Sequence, residues 1–393
     1  MILSEQKNTG TPLLILGIIL ISFNLRPSIT AVGPLIPLIR EDLDLSNAWA
    51  GFLTTLPLLT FATFSLFASG IGRRLGNARA ILLGLVIIGV GTIIRVMGGS
   101  FLLFFGTALT GIGIVIGNVL LIPFIKVKLP HKIGLMTSIY TTGMTLLAAI
   151  ASGVSIPLAD IPGFGWKGSL LFWALLILLG ILFWIPQIKK NKVPVLASDD
   201  LDIPVNIWKS TLAWQVSIFM GVQSLIFFSL ITWLPDMLID RGFTATQSGY
   251  IVSGIQIVGL GGSFLAPLIA VKFKDQVLLG VLLGMGYLFG FTTFFFESKG
   301  LLYVGLTIIG LCLGSSISLA YTLIGLRTLS DKTTASLSGM AQSIGYFLAA
   351  IGPLIVGILI DIFADWNLFV GLMLAASAVF LYLATKVGRS VRI

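Results

Sequence analysis

Chemistry in this chain concentrates at Arg26, within the string Phe23-Asn24-Leu25-Arg26-Pro27-Ser28-Ile29-Thr30. The arginine stands near the middle of an apolar run over residues 12–37, longer than the roughly 20 residues a membrane-crossing helix needs. A cation at such depth costs at least ~2.5–3.5 kcal/mol on insertion scales, so it is rarely retained without a role. Its guanidinium presents donors in a fixed fork that matches planar or oxygen-rich anions. Two readings stand: a contact for a solute anion, or a structural arginine that satisfies carbonyls or a carboxylate on another helix. All 15 carboxylates fall in loops or near the ends of apolar runs, which leaves Arg26 as the ionisable residue expected at midmembrane, with no internal counter-ion. An incoming anion would offset that cost.

Neutral polar side chains deep in other apolar runs complete a candidate substrate site: Asn24 and Thr30 beside the arginine, then Asn118, Tyr140, Gln223, Gln256, Tyr321, Gln342 and Tyr346. Amides and phenols donate to an anion without adding charge. Asn118 serves equally well as a helix-packing hydrogen bond, and Gly113 and Gly117 beside it read as packing residues. Pro27 removes a backbone donor and permits a kink in the first helix. On a continuous helix Arg26, Thr30, Gly33 and Pro37 share one face, a pathway wall leading away from the arginine. Gly33 and Pro34 also permit close packing, and Gly352-Pro353 reads as a hinge.

Enzymatic readings lack their residues. There is no His-Glu-x-x-His, no Cys pair, no Gly-x-Ser-x-Gly and no Gly-x-x-x-x-Gly-Lys. Cys312 lies in an apolar segment and His131 in a basic loop, so neither a metal nor another cofactor is expected.

The elements that must position these residues are membrane helices. Hydrophobic residues make up 56% of the chain and charged ones 10%, far from the ~25% charged of a soluble domain. Twelve apolar runs are predicted, over about 12–37, 49–70, 79–97, 101–125, 134–158, 168–186, 211–235, 248–270, 276–295, 301–325, 334–360 and 366–386. The first is too long for a cleavable signal and lacks a small-residue cleavage site. A polar stretch separates the sixth run from the seventh. The expected organisation is therefore a first six-helix bundle over 1–188, a cytoplasmic linker over 189–210, and a second bundle over 211–393.

With the N-terminus in the cytoplasm, eighteen of the 24 Lys and Arg fall in inside segments and five at the outer ends, Arg95 among them. This positive-inside bias places both termini in the cytoplasm and the chain in the cell (cytoplasmic) membrane. The net charge of +9 is thus spread over many short loops as a topology signal, and no nucleic-acid partner is expected. The partners expected are the lipid bilayer and a small solute, bound by a monomer. Trp208, Trp214, Trp233 and Trp366 read as interfacial anchors.

The two sets of six runs look like copies. Pro37 through Leu45-Ser46 to Gly51 parallels Pro235 through Phe243-Thr244 to Gly249, and the regions of Gly111 and Gly143 parallel those of Gly310 and Gly345. In this register Gln223 and Ser224 answer Leu25 and Arg26, so the second half offers neutral donors where the first offers the cation. Two six-helix repeats with a charged central loop resemble the major facilitator superfamily. The resemblance implies two pseudo-symmetric bundles with a solute site between them, exposed to each side in turn. The loop Ser69-Gly70-Ile71-Gly72-Arg73-Arg74-Leu75-Gly76-Asn77 falls where that superfamily carries Gly-x-x-x-Asp-Arg-x-Gly-Arg. Arg74 and Gly76 fit as conformational residues, whereas Arg73 occupies the acidic position. Within the superfamily, NLRPSITAVGPLIPLIREDLDLS is similar to the opening of the cyanate and nitroimidazole porter group, whose first helix carries Asn-x-Arg-Pro followed by Gly-Pro. That similarity implies a small anionic or polar solute. The function expected is a secondary active or facilitative transporter of a cyanate-, nitrate-, carboxylate- or nitro-compound-like solute. The alternative is efflux of drugs or nitroheterocycles.

Overall fold

The computed structural model describes residues 11–45, 47–190, 206–363 and 365–393. Apart from short 3-10 turns, its elements are α1 (Thr11–Asn24), α2 (Pro27–Thr30), α3 (Val32–Leu43), α4 (Asn47–Leu75), α5 (Asn77–Ile94), α6 (Gly99–Lys128), α7 (Ile133–Ala159) and α8 (Gly165–Lys190), then α9 (Thr211–Asp240), α10 (Ala245–Ala270), α11 (Val277–Thr292), α12 (Lys299–Leu326), α13 (Asp331–Phe363) and α14 (Trp366–Val387). Among the described residues, twelve segments are long and apolar enough to cross a membrane, the first running over Pro12–Thr30. The chain is an all-α multi-pass membrane protein. Most of the linker expected over 189–210 lies outside the described residues. The chain resumes with a 3-10 turn, Ile207–Lys209, and the Ser210 hydroxyl then caps α9 by accepting the Ala213 N–H at 3.3 Å.

The first span departs from the single bent helix expected of it. It is broken twice, after Asn24 and at Ala31. Pro27 has no N–H to return to the preceding turn, and its ring clashes with the carbonyl there. Arg26 leaves helical geometry at φ −127°, and its carbonyl then opens a new turn by accepting the N–H groups of Ile29 and Thr30 at 2.9 and 3.0 Å. Upstream carbonyls are taken by side chains: Ser22 Oγ donates to Ile19 and Asn24 Nδ2 to Leu20, at 2.6 and 2.7 Å.

The halves repeat each other's packing. α1 lies on α7 and α8 as α9 lies on α13 and α14; α4 meets α6 as α10 meets α12; α5 meets α8 as α11 meets α14. A side-chain staple recurs with them. The Trp166 indole donates to Asp42 Oδ2 at 3.0 Å, and the Trp366 indole to Asp240 Oδ2 at 2.6 Å. The indole N–H, then Lys167, holds the Asp42 carboxyl below its ordinary range. Glycines let paired helices touch backbone to backbone: a Cβ on Gly113 would stand 2.5 Å from the Gly84 carbonyl, and one on Gly310 2.6 Å from that of Ile255.

Three cations counted as loop charges are part of the packed interior. Arg95, just beyond α5, is fully buried and donates through Nη1 to the Ser28 carbonyl in α2 at 2.6 Å. Arg327, just beyond α12, donates to the carbonyls of Val387 and Gly388 and to Gln276 Oε1, and burial, then the nearby charge of Arg392, brings it down to about 10. Lys126 crosses between the halves to the Gly325 and Thr328 carbonyls and the Thr328 and Thr334 hydroxyls. Arg95 and Arg327 are buried, and Lys126 is half-buried. Trp233 is likewise half-buried and no simple interfacial anchor, because its indole donates to the Pro353 carbonyl at 2.9 Å.

Candidate functional site

A cavity of about 340 Å³ lies between the two halves. Its first-half wall includes Arg26, Thr30, Gly33, Pro34, Thr107, Thr145 and Ser152; its second-half wall includes Gln223, Ser224, Phe227, Phe228, Gln256 and Tyr346. Pro37 is not on that wall, since the breaks at Arg26 and Ala31 turn α3 out of the face a continuous helix would have kept. Cross-half hydrogen bonds toward the ends bearing the termini include the Lys126 grip, Ser138 Oγ to the Phe264 carbonyl at 2.5 Å, Thr141 Oγ1 to the Ser263 carbonyl at 3.3 Å, Ser318 to Thr141 at 2.9 Å, and Ser343 to the Ala62 carbonyl. The cavity therefore extends from the level of Arg26 toward the opposite end of the bundle.

Arg26 is half-buried on this wall, and no carboxylate lines the cavity. Its guanidinium forms neither a hydrogen bond nor an ion pair with the described residues. The four-residue helix that follows it is clamped through its carbonyls, Ser28 by Arg95 and Thr30 by Ser152 Oγ at 3.1 Å. A short turn whose carbonyls face donors from α5 and α7 has little freedom to move the arginine it carries. Opposite, Gln223 Nε2 donates to Ser224 Oγ at 2.6 Å and to the Met220 carbonyl at 3.0 Å, which leaves its side-chain oxygen without a hydrogen-bond partner among the described residues. The remaining wall is largely apolar, with Met144, Leu313 and Ile317 beside the two phenylalanines.

A second polar group lies fully buried beside the cavity. Tyr140 Oη donates to Asn118 Oδ1 at 2.8 Å, and the Tyr140 and Tyr321 rings meet edge to face at 5.3 Å. The Tyr346 ring lies 4.7 Å from that of Phe61. Arg26 is near enough for its charge to act on both Tyr140 and Tyr321. The hydroxyls of Tyr321 and Tyr346 neighbour each other, yet neither completes a hydrogen bond among the described residues. Asn118 Nδ2 and Gln342 Oε1 are unpaired in the same way, while Gln342 Nε2 reaches Ser338 Oγ at 3.0 Å.

Of the candidate contacts, Arg26, Thr30, Gln223, Gln256 and Tyr346 thus share the cavity; Asn118, Tyr140, Tyr321 and Gln342 lie behind its wall. Asn24 is turned away from it, with Nδ2 also donating to the Leu176 carbonyl in α8 at 3.1 Å. Among the conformational residues, Arg74 is exposed, and Gly76 begins α5 at φ 81°, where a glycine backbone is at ease. Gly352 and Pro353 lie within an unbroken α13; a Cβ on Gly352 would meet Ser229 Oγ at 2.6 Å. Sequence reasoning missed Arg95, Ser152 and Thr107. For Arg95 a signal existed: a cation between Ile94 and Val96, with only a short connection through Gly98-Gly99 to the next helix. No cluster of three His, Cys, Asp or Glu suited to a metal occurs among the described residues.

Comparison with known proteins gives this site its context. The model of the Major Facilitator Superfamily matches residues 18–353. The chain is 48% identical over 365 residues to the uncharacterized transporter YycB of Bacillus subtilis (strain 168), covering 92% of this chain and 90% of that protein. It is 38% identical over 354 residues to the 2-nitroimidazole transporter of Escherichia coli (strain K12), covering 90% of each. To the cyanate transport protein CynX of the same organism it is 27% identical over 359 residues, covering 90% and 91%. The outward-conformation crystal structure of FucP shares the fold at a TM-score of 0.76 and 15% identity, over 96% of this chain and 99% of that one. A cavity between two six-helix halves, in a chain matched by this model over most of its length, has one meaning: the protein belongs to the Major Facilitator Superfamily and is a transporter of small solutes, with no enzymatic role.

Proposed function

We propose that the chain carries a small monoanion, or an anion-like polar solute, across the cytoplasmic membrane by alternating access, with Arg26 as its principal contact. The observation that carries this reading is a guanidinium on the cavity wall without a carboxylate beside it. A single unpaired cation in a low-dielectric cavity favours a single negative charge. Ser224, whose hydroxyl accepts from Gln223 and keeps its own proton, and Tyr346 add neutral donors across the cavity from it. Phe227, Phe228 and Leu313 offer an apolar bed that a triatomic ion leaves unused, so a planar anion with an apolar body, such as an aromatic carboxylate, fits the wall best. The 2-nitroimidazole named for one relative presents a planar two-oxygen nitro group that a guanidinium fork matches, and the cyanate named for another carries a single negative charge.

Termini in the cytoplasm, as the charge bias indicates, place the cavity on the outer side, and one chain forms the whole of it. The test is uptake of radiolabelled benzoate and nitrate by purified protein in liposomes. Arg26→Ala should abolish uptake. Arg26→Lys should lower it about tenfold or more, because an ammonium lacks the planar fork. Intact anion uptake in both variants would sink the reading. The second reading, efflux of a neutral nitroheterocycle or drug, is favoured by the aromatic wall and by the 38% identity to a 2-nitroimidazole transporter. It predicts that 2-nitroimidazole transport survives in both Arg26 variants.

A further inference from the structure

We infer that Arg95 is the second positive charge of the anion site, a positioning residue that fixes the turn bearing Arg26 and draws the solute by its field without touching it. The inference rests on the anion reading of Arg26.

The geometry is specific. Arg95 is fully buried, and its guanidinium makes one hydrogen bond, from Nη1 to the Ser28 carbonyl two residues beyond Arg26. Its Nε and Nη2 have no hydrogen-bond partner among the described residues, and no carboxylate pairs with it there. α6 packs against its main chain at Gly106, where a Cβ would stand 2.5 Å from the Arg95 backbone nitrogen. The next residue, Thr107, lines the cavity with its own hydroxyl unpaired. Arg95 therefore lies one layer behind the wall, on the side from which Arg26 projects.

Stability alone does not account for such a residue. A buried guanidinium with most of its donors unsatisfied is expensive, and an apolar side chain of similar volume would fill the same space at lower cost. Holding the Ser28 carbonyl requires one N–H, which a neutral amide supplies. What the guanidinium adds is charge, since arginine keeps its proton at neutral pH. Two like charges joined through one short turn raise each other's energy, and an anion in the cavity relieves both. At about 10 Å and an effective dielectric of about 20, one unit charge changes local anion occupancy on the order of tenfold.

The field can be read without knowing the solute. In the full-length purified protein, Cys312→Ala removes the single cysteine, and Gly33→Cys adds one on the cavity wall where no atom lies within 4 Å of the new Cβ. The measurement is the ratio of labelling rates by anionic sulfonatoethyl methanethiosulfonate and neutral methyl methanethiosulfonate. Arg95→Gln, which retains a donor for Ser28, should lower that ratio by at least about threefold, and Arg95→Lys should preserve it. Arg95→Met carries the same prediction as Gln should the latter not fold. A ratio unchanged in the Gln or Met variant overturns the inference, whether the two rates stay constant or fall together, since a merely structural role alters both reagents alike. Arg26→Gln separates the two claims: if it lowers the ratio and Arg95→Gln does not, the Arg26 reading stands and the Arg95 inference falls. If Arg26→Gln leaves the ratio unchanged, the anion reading itself fails.

Discussion

The Tyr140 phenol donates to the Asn118 side-chain carbonyl at 2.8 Å, both residues fully buried between α6 and α7. Tyr140→Phe would leave that oxygen without its donor in an apolar interior, an omission worth about 1–3 kcal/mol. The expected result is a lower melting temperature in detergent. Tyr140→Phe combined with Asn118→Leu should recover part of the loss, because removing both partners costs less than stranding one.

Gln223 and Ser224 are coupled by a 2.6 Å hydrogen bond on the cavity wall. With Arg26 supplying the charge, a neutral donor in that position contributes about 0.5–1.5 kcal/mol to binding, rising to about 1.5–3 toward an ionised solute. Ser224→Ala should therefore raise the KM for benzoate roughly tenfold in liposome uptake, since the Ser224 hydroxyl accepts from Gln223 and keeps its own proton to donate. Gln223→Leu should raise it by less, since both N–H groups of that amide are already engaged by Ser224 and the Met220 carbonyl.

Close helix contact at α5–α6 makes a sharp stability prediction. The Cβ of Gly113→Ala would press on the Gly84 backbone, which has no rotamer to yield, so a loss of about 1–3 kcal/mol is expected. Gly153→Ala is the matching control, since nothing lies within 4 Å of its Cβ. Its melting temperature should equal or exceed the parent's, measured by scanning fluorimetry.

The Trp166–Asp42 staple should show itself in pH dependence. An Asp carboxyl held below its ordinary range in the folded state adds stability above its unfolded pKa, and that contribution disappears as pH falls through the folded value. Trp166→Phe removes the larger of the two causes. The melting-temperature gap between parent and variant should be full at pH 7 and shrink below about pH 4. A gap of constant size across that range would assign the loss to packing alone.

Fold class was legible because membrane solvation leaves few options: an apolar run of sufficient length must be a helix, and loop charge marks its ends. The candidate site was legible in part. Arg26, Thr30, Gln223, Gln256 and Tyr346 stood out as polar residues in apolar company, and they share one cavity. Asn24 stood out for the same reason and points the other way, because depth along a helix does not fix its rotational face where a proline breaks the 3.6-residue period. Arg95 was illegible to a rule that assigns every cation near a helix end to water. A side chain of that length reaches inward as readily as outward, and here the Ser28 carbonyl in α2 gives it an inward partner.

Lys126 grips four oxygens, all of them carbonyls or hydroxyls. A latch built from one ammonium and four neutral oxygens gives up all of its bonds at once, so its release is set by how α12 and α13 move relative to α6.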